Sequence, residues 1–126
     1  MSEDELIDRI NMAAFEVRKN LAPGYIESIY HKALVLELKN AGLNAETEVP
    51  LSVTYKNYII GTFKADIIVE NSIIIELKAV NNLLPIHEAQ LVNYLQTTGY
   101  EKGILINYGS INYAFRVKRK DYPSKN

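Results

Sequence analysis

Residues 73–80 read Ile-Ile-Ile-Glu-Leu-Lys-Ala-Val, and this stretch decides the fold that we predict. Its apolar, β-branched character is typical of a strand that is covered on both faces. The stretch nevertheless contains Glu76 and Lys78. Burying either charge is costly unless the charge is paired or bound to a metal. Because the two residues are two apart, both side chains project from the same face of the strand.

A second predicted strand, residues 58–69, lies immediately upstream. Only residues 70–72 separate the two strands, which indicates an antiparallel hairpin. If these three residues form the loop, Asp66 lies directly across from Glu76. Facing side chains on one side of a sheet have Cβ atoms about 4.5–5.5 Å apart. A loop of two residues would shift the pairing by one and would put Asp66 opposite a neighbour of Glu76 instead.

The predicted carboxylate pair points to a metal. Two carboxylates at that distance repel each other unless a cation lies between them. A divalent ion supplies such a charge, and Lys78 could orient or help to activate an attacking water. The chain has no cysteine and only two histidines, which excludes thiolate zinc sites and favours oxygen ligands for Mg²⁺ or Mn²⁺. The alternative is an ordinary cross-strand charge cluster on a solvated sheet face. The apolar residues on either side of Glu76 and Lys78 argue against this alternative.

The remainder of the chain changes between helical and strand patterns. Apolar residues recur at helical spacing after a capping-box pattern at Ser2 and Glu5. The predicted helices cover about residues 3–21, 26–41 and 86–98, and further strands cover about residues 49–55, 103–108 and 112–117. This order predicts an α/β fold of the α+β type, with a mixed central β-sheet flanked by helices, in a single domain over residues 1–126. A basic tail is expected over residues 115–126.

Several segments, in their order along the chain, carry a resemblance to a known family. Residues 24–30, Gly-Tyr-Ile-Glu-Ser-Ile-Tyr, match a G-x-x-E-x-x-Y motif. Asp66 followed by Glu76-Leu77-Lys78 matches a D…ExK signature, and residues 87–95 and 105–109 fit as well. The chain thereby resembles the GxxExxY protein family, a group of the PD-(D/E)XK nuclease superfamily. The resemblance extends from about Phe15 to Arg116, nearly the whole chain.

The resemblance implies a restriction-endonuclease-like core and a role for each motif residue. Asp66 and Glu76 would be metal ligands, with the backbone carbonyl of Leu77 as a further ligand. Glu27, on the second helix, would be an additional carboxylate that approaches the metal. Lys78 would position the attacking water or stabilise charge at the phosphate. Read by itself, Glu27 could equally be a solvated acid at a helix start.

A second group of residues is predicted around this centre. Gln90 on the third helix would face the site, and the candidate substrate contacts are Tyr30, Tyr94, Lys64 and Arg116. Most have a plainer interpretation. Gln90 could be a satisfied buried amide, Tyr30 a core aromatic, and Lys64 a surface lysine. Arg116 opens the basic tail, which could contact phosphates or simply be solvated.

The whole chain sets limits on location and partners. The N-terminal segment is acidic rather than basic and apolar, so it does not resemble a signal peptide. No apolar stretch reaches the ~18 residues that a membrane helix needs. We therefore expect a cytoplasmic protein with no membrane partner. The family resemblance implies nucleic acid as the partner, with DNA favoured. The formal net charge of −1 shows no strong nucleic-acid footprint in the total.

Two functional hypotheses follow, with a weaker third. The first is a Mg²⁺-dependent or Mn²⁺-dependent nuclease that hydrolyses phosphodiester bonds. The second is a non-catalytic module that keeps the nuclease fold and binds nucleic acid or a protein partner. The third is a structural subunit of a homo-oligomer or larger assembly, for which the nine tyrosines would suit an interface.

Overall fold

The structure is a computed structural model that describes residues 1–120, in which helices cover both faces of a mixed β-sheet. The helices are α1 (Glu3–Asn20), α2 (Glu27–Asn40) and α3 (Pro85–Thr98). The strands are β1 (Ala45–Tyr55), β2 (Tyr58–Val69), β3 (Ile73–Lys78), β4 (Lys102–Asn107) and β5 (Ala114–Arg119). The sheet order is β1-β2-β3-β4-β5, with β3 and β4 parallel and the other pairs antiparallel. The predicted fold class is confirmed.

The hairpin of β2 and β3 has the loop that the sequence predicts. Val69 pairs with Ile73, so residues 70–72 form a three-residue connection. The first two loop residues, Glu70 and Asn71, both adopt the left-handed conformation with φ of 52°. This register, continued past the last regular pair, places Asp66 across from Glu76.

Two apolar clusters fix the layers. The larger one joins α1 and α2 to one face of the sheet, and the smaller one joins α3 to the other face. A fully buried Leu or Ile side chain contributes about 1.5–3 kcal/mol by leaving water. The sheet residues buried in the larger cluster are Ala45, Ile67, Val69, Ile73, Ile75, Leu77, Ile104 and Ile106. Since α3 connects the parallel strands β3 and β4 across the opposite face, the central strands are covered on both sides, as their apolar sequence predicts.

Strand β2 bends at Asp66, where the regular alternation of its side chains between the two sheet faces is interrupted. Ala65 and Ile67 are two apart and would share one face of a regular strand, yet Ala65 packs under α3 and Ile67 packs under α1 and α2. Glu48, which faces Asp66 in the register with β1, has a φ of 51°, and regular pairing skips these two residues. The bend therefore lies at the predicted reaction centre.

The two ends of the sheet differ from the prediction. Strand β1 begins at Ala45, earlier than expected, because this residue and its neighbours pair with the end of β2. The basic tail expected from residue 115 is instead strand β5 as far as Arg119, because Ala114–Arg119 form a ladder with β4. The part of that predicted tail over residues 121–126 lies outside the described residues. Within residues 1–120, no helix is long and apolar enough to cross a membrane.

The segment after β3 is clamped to the end of β4. The buried Asn107 accepts N–H hydrogen bonds from Val80 at 3.0 Å and from Gly109 at 3.1 Å, and its amide donates to the Val80 carbonyl at 2.9 Å. The Tyr108 N–H also donates to the Lys78 carbonyl at 2.9 Å. The backbone that follows Lys78 is therefore held in place by both side-chain and main-chain bonds.

We expect Gly109→Ala to lower the free energy of unfolding by about 1–3 kcal/mol or more, because the new methyl group has no room. A Cβ at this position would lie 2.2 Å from the carbonyl carbon of Ala79 and 2.3 Å from the nitrogen of Val80. Urea unfolding of both proteins measures the difference. Gly61→Ala is the matched control, since a Cβ there meets nothing within 4 Å, and it should be neutral or stabilising. Equal stability of the Gly109→Ala and Gly61→Ala proteins would contradict the close packing at this turn.

Candidate active site

The site forms where β2 and β3 separate. Their regular ladder ends at the pair of Ile67 and Ile75. Beyond that point the carboxylates take over as acceptors. The Leu77 N–H donates to Asp66 Oδ2 at 2.8 Å, and the Asp66 N–H donates to Glu76 Oε2 at 3.2 Å. Each carboxylate is thus held by the backbone of the opposite strand, and the two acids lie side by side.

The electrostatics of this pair reflect burial and mutual repulsion. Burial raises the pKa of Glu76, and the negative charge of Asp66 raises it further, to about 8. Burial likewise raises the pKa of Asp66, although the hydrogen bond from Leu77 opposes the shift. The positive charge of Lys78 lowers the pKa of both acids. Two acids with raised pKa values beside a lysine are a typical signature of a functional site.

Helix α2 brings a third carboxylate to the pair. Glu27 is the first residue of the helix and is exposed. Its pKa is raised, because its carboxyl group is partly desolvated and faces the charge of Asp66, while Lys78 lowers it. The structure therefore brings Glu27, Asp66, Glu76 and Lys78 into one electrostatic cluster. This is the group that the sequence predicts as the reaction centre.

Sequence analysis missed His31, which touches the same site. Its Nε2 lies 2.9 Å from the backbone carbonyl oxygen of Asp66. That contact is a hydrogen bond if Nε2 carries the proton, so it helps to hold the bend of β2. A signal was available, because His31 lies four residues after Glu27 and shares its helix face. Asn107 was missed as well, and its signal was a polar residue at the end of an otherwise apolar strand.

The donor set fits a hard divalent cation. Asp66 and Glu76 supply carboxylate oxygens, and Mg²⁺ commonly binds through one or two carboxylates while keeping several waters. Among residues 1–120, no three His, Cys, Asp or Glu side chains are arranged as a ready set of metal ligands. The carboxylate pair is the part of the site that the fold brings together. The raised pKa of Glu76 reflects burial and repulsion by Asp66, and a nearby cation would reduce that repulsion.

Tyr30 lies in the core rather than at the surface. The residue has 0% exposed area and stacks on Tyr108 with ring centroids 5.0 Å apart. Its hydroxyl donates to the Ala22 carbonyl at 2.5 Å and accepts the Tyr25 N–H at 3.2 Å. A side chain without exposed surface cannot contact a substrate in this conformation. The predicted substrate contact is thus replaced by the plainer interpretation, in which Tyr30 anchors the turn before α2.

Arg116 forms a salt bridge with an acidic residue of α3. Its guanidinium forms an ion pair with Glu88, which also pairs with Lys118. These two cations hold the pKa of Glu88 below its usual range, with Lys118 contributing more. The pairs fasten α3 to β5, and because one carboxylate faces two cations, the group keeps a net positive charge. The role of Arg116 toward a substrate stays a prediction.

The remaining predicted contacts lie along α3 and β2. Tyr94 stacks on Phe63 with centroids 3.7 Å apart, which joins α3 to the hairpin of β1 and β2. Lys64 is exposed, and because its neighbours Phe63 and Ala65 pack toward α3, it projects from the opposite face of the strand. Gln90 is exposed on α3. The roles of these side chains toward a substrate stay predictions.

Comparison with known proteins identifies the family. The sequence profile of the PD-(D/E)XK nuclease superfamily matches residues 4–120. The chain belongs to the PD-(D/E)XK nuclease superfamily. Nucleases of this superfamily generally use divalent metal ions. In this sequence, Asp66 matches the D of the PD-(D/E)XK motif, and Glu76-Leu77-Lys78 matches its (D/E)XK part.

A solved structure supports the same assignment. The PD-(D/E)XK fold of this chain matches a structure described as "Crystal structure of SSO0001" with a TM-score of 0.58 and 31% sequence identity. The match covers 76% of this chain and 50% of that chain, so this chain spans about half of the matched protein's length. Among curated proteins, no sequence matches significantly.

We expect the metal-free protein to lose stability as the pH rises from about 4.5 toward 8. The pKa of Glu76 is raised from 4.5 to about 8 in the folded protein. Between these values the folded state keeps a proton that the unfolded state has lost, so the free energy of unfolding falls with rising pH. This contribution is on the order of 4 kcal/mol at most.

Chemical unfolding in the presence of a chelator, at about pH 5 and about pH 8, measures this effect. Glu76→Gln should lose less stability than wild type over this interval, because glutamine has no proton to release. Glu46→Gln, at an exposed position of β1, is the control and should follow wild type. The expectation fails if wild type and Glu76→Gln show the same pH dependence.

Proposed function

We propose that this protein is a metal-dependent nuclease that hydrolyses phosphodiester bonds of nucleic acid, with Mg²⁺ or Mn²⁺ as cofactor and DNA as the favoured substrate. The single observation that supports this most is the pairing of the Asp66 and Glu76 carboxylates beside Lys78. Apolar strands surround the pair, and a binding surface has no evident need for two partly buried acids that repel each other.

Each residue of the cluster has a role in this proposal. Asp66 and Glu76 hold the ion, with the carbonyl of Leu77 and the carboxylate of Glu27 as further ligands. A bound divalent ion supplies positive charge that stabilises the phosphate in the transition state and lowers the pKa of the attacking water. Lys78 orients that water or neutralises charge on the phosphate. Gln90 completes the site from α3.

We also propose a narrower family group, two substrate contacts and a cellular location. The match of residues 24–30 to the G-x-x-E-x-x-Y motif supports membership of the GxxExxY group. Lys64 and Tyr94 are the proposed substrate contacts that the structure leaves at the surface or partly exposed. A nucleic-acid substrate supports a cytoplasmic location.

A non-catalytic binding module is the second candidate, and one observation favours it. Both carboxylates already accept backbone N–H groups, so they have a structural task whether or not a metal binds. A chain that kept the fold and lost the chemistry could retain Asp66 and Glu76 for that reason alone. The same argument gives no reason to retain Lys78.

Calorimetric titration of Mg²⁺ and Mn²⁺, combined with cleavage assays on labelled DNA and RNA, tests the proposal. Wild type should bind the ion saturably and cut at least one substrate. Glu76→Gln should lose both, since it removes one of the paired carboxylates. Lys78→Met should keep the ion affinity and lose cleavage by about 10²–10⁴-fold, because it removes a group that acts on the reacting atoms.

The control and the contradicting result are both accessible. Glu46→Gln removes an exposed carboxylate of β1 and should bind and cut like wild type. A folded wild type that binds neither ion at millimolar concentration and cuts no substrate would favour the binding module. Cleavage that persists in Glu76→Gln would place the reaction elsewhere.

A further inference from the structure

A groove runs along the surface between α2 and β1, next to the carboxylate pair. Its volume is about 420 Å³. The residues that line it are His31, Lys32, Val35, Lys39, Thr47 and Glu48. The groove begins at the site, because His31 contacts the Asp66 carbonyl and Glu48 raises the pKa of Asp66. None of these lining residues was singled out by the sequence motif.

One stripe of α2 connects the site to the far end of the groove. In the series Glu27, His31, Val35 and Lys39 each residue is four positions after the one before it, so successive members are neighbours on the helix surface. The series turns by about 120° around the helix axis from its first member to its last. At a rise of about 1.5 Å per residue, Glu27 and Lys39 are separated by about 18 Å along the helix axis. The stripe begins with an acid at the carboxylate pair and ends with a base.

The groove offers cations that the protein itself does not use. Within residues 1–120, Lys32 and Lys39 form no salt bridge, whereas Lys102, Lys118 and Lys120 all do. Both groove lysines are exposed. Glu48 is the acidic residue of the lining, so lysines outnumber acids two to one. Glu48 lies at the end near Asp66, and the charge of the groove therefore becomes more positive with distance from the carboxylate pair.

We propose that this groove binds the backbone phosphates of a nucleic-acid strand, next to the phosphate that reaches the carboxylate pair. Lys32 and Lys39 contact the phosphates as point charges. His31, through its contact with the Asp66 carbonyl, holds the bend of β2 next to the groove. The identity of the polymer rests on the proposed function, but the groove itself does not.

Charge selects this occupant over a protein segment. Val35 is the apolar residue with a large side chain in the lining, and a docked helix or strand would need several such contacts. Phosphate contacts need only accessible cations at suitable spacing, and these make binding steeply salt-dependent. They also carry no sequence information, so the groove positions a strand without selecting its bases.

Binding measurements on Glu76→Gln, which is expected not to cut, separate recognition from chemistry. Single-stranded DNA, duplex DNA and RNA of the same sequence, each carrying a fluorescent label, are titrated at several salt concentrations. Adding Lys32→Ala and Lys39→Ala should weaken binding about 10-fold or more and should lower the salt slope for duplex DNA by about 1.8. Lys56→Ala with Arg119→Ala is the matched control, since it also removes two exposed basic side chains that form no salt bridge within residues 1–120, but outside the groove.

The control pair should leave both affinity and salt slope unchanged. Equal losses in the two double variants would overturn the proposal, because general charge rather than the groove would then explain binding. Unchanged binding after the groove substitutions, or no binding of any probe before them, would also overturn it.

The groove proposal and the nuclease proposal can be contradicted independently of each other. If wild type cuts nucleic acid while the groove variants bind and cut like wild type, the nuclease proposal stands and the groove proposal falls. If wild type cuts nothing but its binding depends on Lys32 and Lys39, the groove proposal stands and the protein is a binding module. The preferred probe among the three polymers then identifies the substrate class.

Discussion

Two hydrogen bonds, from the Leu77 N–H to the Asp66 carboxylate and from the Asp66 N–H to the Glu76 carboxylate, determine where the sheet stops and the site begins. In a regular antiparallel ladder, carbonyl oxygens would accept the N–H groups of Leu77 and Asp66. Here two carboxylates accept these N–H groups, which lets β2 and β3 separate without leaving buried donors unsatisfied. The opening between the strands and the acids that line it therefore arise from the same two bonds.

The surrounding apolar layers make this arrangement tolerable. A buried carboxylate is expensive, and two neighbouring ones are more so, as the raised pKa values of Asp66 and Glu76 show. The neighbouring β-strand residues offset this cost by burying large aliphatic side chains on both faces of the sheet. Beyond Lys78, the Asn107 amide fixes the chain, so the lysine is presented from a rigid backbone. A cation at the pair would then remove a repulsion that the fold already holds in place.

The fold and the proximity of Asp66 to Glu76 could be predicted from the sequence because both depend on period and spacing. A three-residue loop and a two-residue side-chain repeat are sufficient to place Asp66 opposite Glu76. What depends on contacts between distant segments could not be read in this way. The bend at Glu48 requires a left-handed glutamate, which no local propensity favours. The sequence left Tyr30 open between a substrate contact and a core aromatic, because the choice depends on its stacking with Tyr108. Strand β5 continues past the predicted strand end at Val117, because it pairs with β4 as far as Arg119.

The short loop between β2 and β3 also bears on how the chain reaches its native state. Contacts close in sequence lose little chain entropy when they form, whereas the parallel pairing of β3 with β4 must wait for the intervening helix to cross over. The two acids belong to the local hairpin, while Glu27 and the lysines of α2 reach them through a tertiary contact. The carboxylate pair is therefore the part of the site with the lowest contact order. The accessory groups, by contrast, reach the hairpin only when α2 docks on the sheet.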